Sequence, residues 1–220
     1  MTQAEIKQRG RFITFEGGEG VGKSTNIQFV ANWLRQRGVD VVVTREPGGT
    51  EIAERIRNDL LKAHHQEPMS DLTELLLVFA ARAQHLNHLI VPALDAGQWV
   101  LCDRFTDSTI AYQGYGRGLD SEVIDQLKQL VQKGLEPDCT FLLEAPLTVG
   151  MSRARGRADA AGEAVDRFET EQVAFFEAVQ RGFDELAKQY QRIVRVDAAR
   201  PLVEVQADIE QRLQALWEAL

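Results

Sequence analysis

Residues 17–25 read G-G-E-G-V-G-K-S-T, with Gly17 and Gly22 five apart and followed at once by Lys23 and Ser24. That spacing is the P-loop pattern. Gly17, Gly18, Gly20 and Gly22 let the backbone turn through left-handed conformations and approach a ligand with no Cβ in the way. The N–H groups of such a loop, Glu19 and Val21 included, form an anion-binding nest, and a helix opening at Lys23, Ser24 and Thr25 aims its positive end at the same spot. Lys23 then reaches terminal phosphates while Ser24 offers a hydroxyl to Mg²⁺. A chance match is expected in roughly one chain in a hundred of this length, so the neighbouring residues decide. Before the glycines, R-F-I-T-F-E (11–16) is β-rich and alternating; after them Ile27, Val30, Ala31 and Leu34 recur at helical spacing. Strand, loop, helix is the setting the motif needs, and it predicts a bound nucleoside polyphosphate.

The rest of the chain predicts an α/β protein. Strands are expected near 11–16, 39–44, 99–103, 139–143 and 193–196. Helices are expected near 23–37, 50–62, 71–89 (bent or restarted at Pro92), 108–113, 121–133, 147–155, 169–189 and from 202 onward, with a glycine-rich loop at 114–118. Five strands alternating with helices call for a parallel sheet covered on both faces. At 220 residues the chain is read as one domain over 11–220, after a polar extension at 1–10. The charged, alanine-rich stretch at about 153–166 has no periodic apolar face and is the candidate for a mobile lid.

Composition excludes several classes. The formal net charge of −8 argues against a general nucleic-acid binder. The longest apolar run, 75–81, is too short to span a bilayer, and the polar start shows no signal peptide. Cys102 and Cys139 sit in apolar strand-like runs and read as buried free thiols of a soluble, cytoplasmic protein. His85 and His88, three apart on a helix, have no thiol or carboxylate to complete a zinc set; His64 and His65 read as surface. Phe175, Phe176 and Phe183 recur at helical spacing and read as core.

Asp103 ends a run of four apolar residues, where a carboxylate either holds Mg²⁺ across from Ser24 or caps the following turn. Arg104 and Arg45 emerge from the carboxyl ends of predicted strands, the rim where open α/β folds bind ligands. Two arginines there suggest a second phosphorylated ligand. Arg153, Arg155 and Arg157 lie in the lid candidate, spaced so that they cannot all face one way on a helix.

Taken with E-G-G-E-G-V-G-K-S-T, the motifs T-R-E-P-G-G-T (44–50), F-A-A-R-A-Q-H (79–85), D-R-F-T-D-S-T-I-A-Y-Q-G (103–114) with Arg117-Gly118, and D-R-F-E (166–169) resemble the thymidylate kinase family from residue 11 to nearly the C-terminus. The resemblance implies a P-loop fold of the nucleoside monophosphate kinase type, transfer of the ATP γ-phosphoryl to dTMP with Mg²⁺, and a homodimer. It places Glu19 near the acceptor's 3′-hydroxyl, Arg45 and Arg104 on its phosphate, Arg82 on the thymine edge, Thr109 and Gln113 around the base, and Tyr112 against the 2′ carbon. Many members carry a thymine-stacking phenylalanine four residues before the base-reading arginine; here that position is Val78, and Phe79, three before Arg82, is the expected stacker. Gly20 stands where some members carry a basic P-loop residue, so the lid is expected to supply the catalytic arginine, Arg153 first and Arg157 second. Residues 159–163 look like an insertion in the lid.

Three other readings compete. A deoxynucleoside kinase needs a carboxylate base, for which Asp103 or Glu16 is available. A GTP-dependent switch needs an N/T-K-x-D motif, which is absent. A partitioning or transport ATPase needs signature motifs and extra domains that are also absent.

Overall fold

The computed structural model describes residues 9–161 and 171–218. In chain order the elements are β1 (Phe12–Glu16), α1 (Lys23–Arg35), β2 (Val41–Arg45), α2 (Glu51–Arg55) running into a π-helical segment (Ile56–Leu61), and α3 (Asp71–His85). A second π-helical segment (Leu86–Ile90) then leads into α4 (Val91–Asp95), followed by β3 (Trp99–Asp103) and α5 (Thr106–Thr109). A third (Ile110–Gly116) precedes α6 (Ser121–Gln132), β4 (Cys139–Glu144), α7 (Leu147–Ala161), α8 (Val173–Gln189), β5 (Ile193–Asp197) and α9 (Leu202–Glu218).

All five strands pair parallel in the order β2-β3-β1-β4-β5. Alternation along the strands splits the core between the two faces. Ile13 and Phe15, Trp99 and Leu101, and Cys139, Phe141 and Leu143 pack with α1 and α9. Phe12, Val100 and Cys102 face the other way, against Leu86, Ile90 and Leu94. Every residue of β1 is buried, as a central parallel strand requires.

Register then builds the rim. Phe15 and Arg45 both lie beside Asp103, so the P-loop leaves β1 next to the point where Arg104 leaves β3. Both cysteines are buried and free, and Phe175, Phe176 and Phe183 lie in the core, as expected.

One segment differs from the sequence expectation. Residues 114–116 continue a helix rather than opening a glycine-rich loop. The cause is tertiary: a Cβ on Gly116 would stand 2.6 Å from the Phe175 ring, so the missing side chain lets α8 press onto this segment and outweighs glycine's poor helix propensity. Pro92 restarts the helix as expected: it stands in the first turn of α4, directly after the π-helical segment Leu86–Ile90, the kind of local adjustment that accommodates a residue with no N–H to give. Of the lid candidate, 153–161 belong to α7, while 162–166, the D-R-F-E motif and residues 1–8 of the polar extension lie outside the described residues.

Candidate active site

The loop after β1 is held open by close packing. Gly17 has φ 127°, and a Cβ there would stand 2.2 Å from the Leu143 carbonyl oxygen, so only glycine fits. Gly22, at φ 87°, directs the chain into α1. Lys23 is 8 % exposed; its Nζ donates to the Gly18 carbonyl at 3.0 Å and stands 4.0 Å from Asp103 Oδ1. Burial first, then the Arg104 charge, pull its ammonium below the usual lysine range.

Arg104 follows with φ 69°, a left-handed conformation that costs a non-glycine residue energy and clusters at functional sites. Its neighbours fix it there. Its backbone N–H donates to the Phe15 carbonyl (2.9 Å), Nη2 to Glu19 Oε1 (2.6 Å) and Nη1 to Ser108 Oγ (3.1 Å), and the guanidinium lies 5.0 Å from the Tyr112 ring centroid. Burial pushes the Tyr112 phenol up to about 12, so its ring stays neutral at physiological pH.

Beneath Arg104 lies Glu16, fully buried at the end of β1. It accepts from the Phe105 N–H (2.7 Å) and from the Ser108 hydroxyl, and so pins the turn that strains Arg104. Burial, reinforced by the Asp107 charge, pushes its carboxyl from 4.5 up to about 8. Between those two values the unfolded chain loses a proton that the native state keeps, so stability falls as pH rises through the window and levels off above it. Wild type is therefore expected to lose thermal stability from pH 5 to 8 relative to Glu16→Gln in scanning calorimetry. Parallel curves would contradict this.

A pocket opens beside these groups, lined by Glu19, Glu46, Pro47, Arg57, Leu61, Lys62, Val78, Arg82, Arg104, Phe105, Ser108, Thr109, Tyr112 and Gln113. Most residues expected around an acceptor are brought together here: Glu19, Arg82, Arg104, Thr109, Tyr112 and Gln113. The π-helical segment 110–116 delivers Tyr112 and Gln113, and such segments often serve functional sites.

Phe79 is not part of this wall. It packs with Leu75 and Ile124, its ring centroid 4.9 Å from the Arg82 guanidinium, while Val78 faces the pocket. Arg45 is half exposed, outside the pocket lining, and paired with Glu54 at 2.8 Å. Arg153 donates to the Ala198 carbonyl at 3.1 Å, just past the end of β5. Arg155 and Arg157 fall on α7, their side chains outside the described part.

Sequence reasoning missed Arg57, Lys62 and Ser108 on the pocket wall, and the buried groups behind it. His85 bonds Thr44 Oγ1 (2.7 Å) and Glu46 Oε1 (3.0 Å), joining the end of β2 to the carboxylate that holds Arg82. Among the described residues there is no group of three or more His, Cys, Asp or Glu side chains placed to hold a metal ion.

A five-stranded parallel sheet with a P-loop after its central strand, and an arginine-bearing pocket at the neighbouring strand ends, defines a P-loop kinase of the nucleoside monophosphate class. The sequence profile of the thymidylate kinase family matches residues 15–209, and the chain belongs to that family. It is 55 % identical to a thymidylate kinase of Teredinibacter turnerae over 94 % of this chain and 98 % of that one. Identity to a thymidylate kinase of Ectopseudomonas mendocina is 56 %, over 96 % and 98 %. The crystal structure of thymidylate kinase from Ehrlichia chaffeensis superimposes with a TM-score of 0.74 at 36 % identity, over 93 % and 99 % of the two chains.

Proposed function

We propose that this chain transfers the γ-phosphoryl group of ATP to dTMP, giving ADP and dTDP for dTTP and DNA synthesis. The observation that supports the reading is the strand register: it sets Asp103, 4.0 Å from the Lys23 ammonium, and Arg104 next to the end of β1 where the glycine loop begins, and Arg104 lines the pocket. Residues 17–25 bind the ATP phosphates. Arg104, and Arg45 from the next strand end, hold the acceptor phosphate, with Glu19 near the sugar. Tyr112 lies against the 2′ carbon, where it excludes an added hydroxyl sterically. Arg82, Thr109 and Gln113 surround the base. Phe79 acts from behind, by seating the Arg82 guanidinium.

The acceptor is a phosphate oxygen whose second pKa is about 6, so it is anionic at neutral pH and no general base is needed. Catalysis is positioning and charge neutralisation by Lys23, Arg104 and an α7 arginine, Arg153 or Arg157. Ser24 and Asp103 suit Mg²⁺: the serine is exposed in the first turn of α1, and Asp103 Oδ1 is buried without a hydrogen-bond partner among the described residues. Held by these two residues, Mg²⁺ would supply charge neutralisation to the bound ATP phosphates.

The chain works as one kinase domain over 11–220, with 153–166 as its lid, and is a cytoplasmic homodimer that takes up neither nucleic acid nor membrane. Exposed Leu72 and Leu76 on α3 favour that helix as the dimer face, and among the described residues no helix is long and apolar enough to cross a membrane. Size-exclusion chromatography with light scattering is expected to give twice the monomer mass.

Offering dTMP and thymidine in parallel tests the reaction. ADP release is expected to be fast with dTMP and near background with thymidine. Equal rates would favour a nucleoside kinase using Asp103 or Glu16 as base.

A further inference from the structure

Two buried carboxylates with no part in phosphoryl transfer support the acceptor pocket: Glu46, 4 % exposed and at its wall, and Glu74, 1 % exposed and outside its lining. Each commits one end of a pocket residue. Glu46 Oε2 accepts from Arg82 Nε at 2.7 Å, and Thr109 Oγ1 takes Arg82 Nη2 at 2.9 Å. What remains is Nη1, buried and without a hydrogen-bond partner among the described residues. A buried guanidinium nitrogen left unpaired is costly, which is the mark of a donor kept for a ligand.

Glu74 acts in the same way on Gln113. Its Oε1 accepts from Gln113 Nε2 at 2.8 Å, and its two oxygens also accept from Arg117 Nε (3.2 Å) and Nη2 (3.1 Å). Glu74 is ion-paired with Arg117 at 3.1 Å, and a paired carboxylate offers its neighbours acceptors only. An amide beside it must therefore turn its nitrogen inward and its oxygen away.

We propose that Glu74 is a specificity-determining positioning residue: by locking the Gln113 amide, it turns a carbonyl acceptor, Gln113 Oε1, toward the pocket beside the unpartnered N–H donor of Arg82 Nη1. That pair matches a pyrimidine carrying a 4-keto oxygen and an N3–H. Cytosine presents the reverse, an amino donor at C4 and an acceptor at N3, and is mismatched twice. This inference rests on the reading of the pocket as a pyrimidine nucleotide site.

The test is the ratio of kcat/KM for dTMP to that for dCMP. In Glu74→Gln, which is isosteric but both donates and accepts, Gln113 is free to flip. The ratio is expected to fall at least about tenfold, chiefly through a higher KM for dTMP, because an unmatched buried polar pair costs binding of that size. Glu74→Asp still only accepts and is expected to keep the wild-type ratio. Gln113→Met leaves the Glu74–Arg117 pair in place and is expected to lose the ratio as Glu74→Gln does. A purely structural Glu74 would lower both substrates together and leave the ratio unchanged. A folded Glu74→Gln with the wild-type ratio overturns the proposal; if that variant does not fold, a wild-type ratio in Gln113→Met, or a collapsed ratio in folded Glu74→Asp, overturns it instead. Wild-type protein inactive on dTMP would remove the pyrimidine reading itself, a separate outcome.

Discussion

Lys23→Ala lowers the turnover of dTMP phosphorylation by about 10²–10³-fold, the loss found when one preorganised donor to a charged transition state is removed. The size follows from where Lys23 sits. Its ammonium is buried, so it acts in a site largely closed to water, and it stands within ion-pair reach of Asp103 and hydrogen-bond reach of the glycine-loop carbonyls. Alanine leaves that charge position unfilled at the point where the donor phosphates lie. KM for dTMP is expected to change far less than kcat, because the lysine serves the donor side. Steady-state kinetics checks the split, and a melting curve confirms that the variant is folded. A turnover within fivefold of wild type would show that Lys23 does not touch the transferring group.

Arg104→Ala has an effect of comparable size, about 10²–10³-fold in kcat/KM for dTMP, from the loss of a charge-assisted grip on the acceptor phosphate. A comparison with Arg104→Gly separates function from backbone strain. Both variants lose the guanidinium. Only glycine relieves the left-handed conformation at φ 69°, so Arg104→Gly is expected to be more stable than Arg104→Ala by about 1 kcal/mol in urea denaturation. Equal activity loss with unequal stability is the expected signature. An alanine variant as active as wild type would place the acceptor phosphate elsewhere, and equal stabilities would mean that the turn relaxes.

Most of the scaffold was legible because its signals are local. Each strand is a short apolar run, and the observed bounds, such as Trp99–Asp103 and Cys139–Glu144, lie close to those expected. The glycine loop, Asp103 and Arg104 could be read for the same reason: the motif and the strand end that carry them are contiguous.

The π-helical run through Gly114 and Gly116 could not be read locally, because the reason for a helix there is Phe175, almost sixty residues later in the chain. Val78 and Phe79 have spacings to Arg82 that both fit one helical face, and only packing against Leu75 and Ile124 decides which one meets the pocket. The buried supports were hidden by separation as well. Glu46 pairs with Arg82 across 36 residues, and Glu74 with Gln113 and Arg117 across 39 and 43. Charged residues in otherwise amphipathic stretches read as solvent-facing until tertiary structure supplies the partner. Glu16 gave a weak signal, a carboxylate closing an apolar strand, yet its work in fastening the Arg104 turn is visible only in the folded rim.

The central claim, two nucleotides meeting end to end over Lys23 and Arg104, is tested most directly by following the γ-phosphorus label of ATP with dTMP and magnesium present. The label is expected in dTDP, one for each ADP formed. Label released as inorganic phosphate, or left in ATP while dTMP goes unchanged, would contradict it.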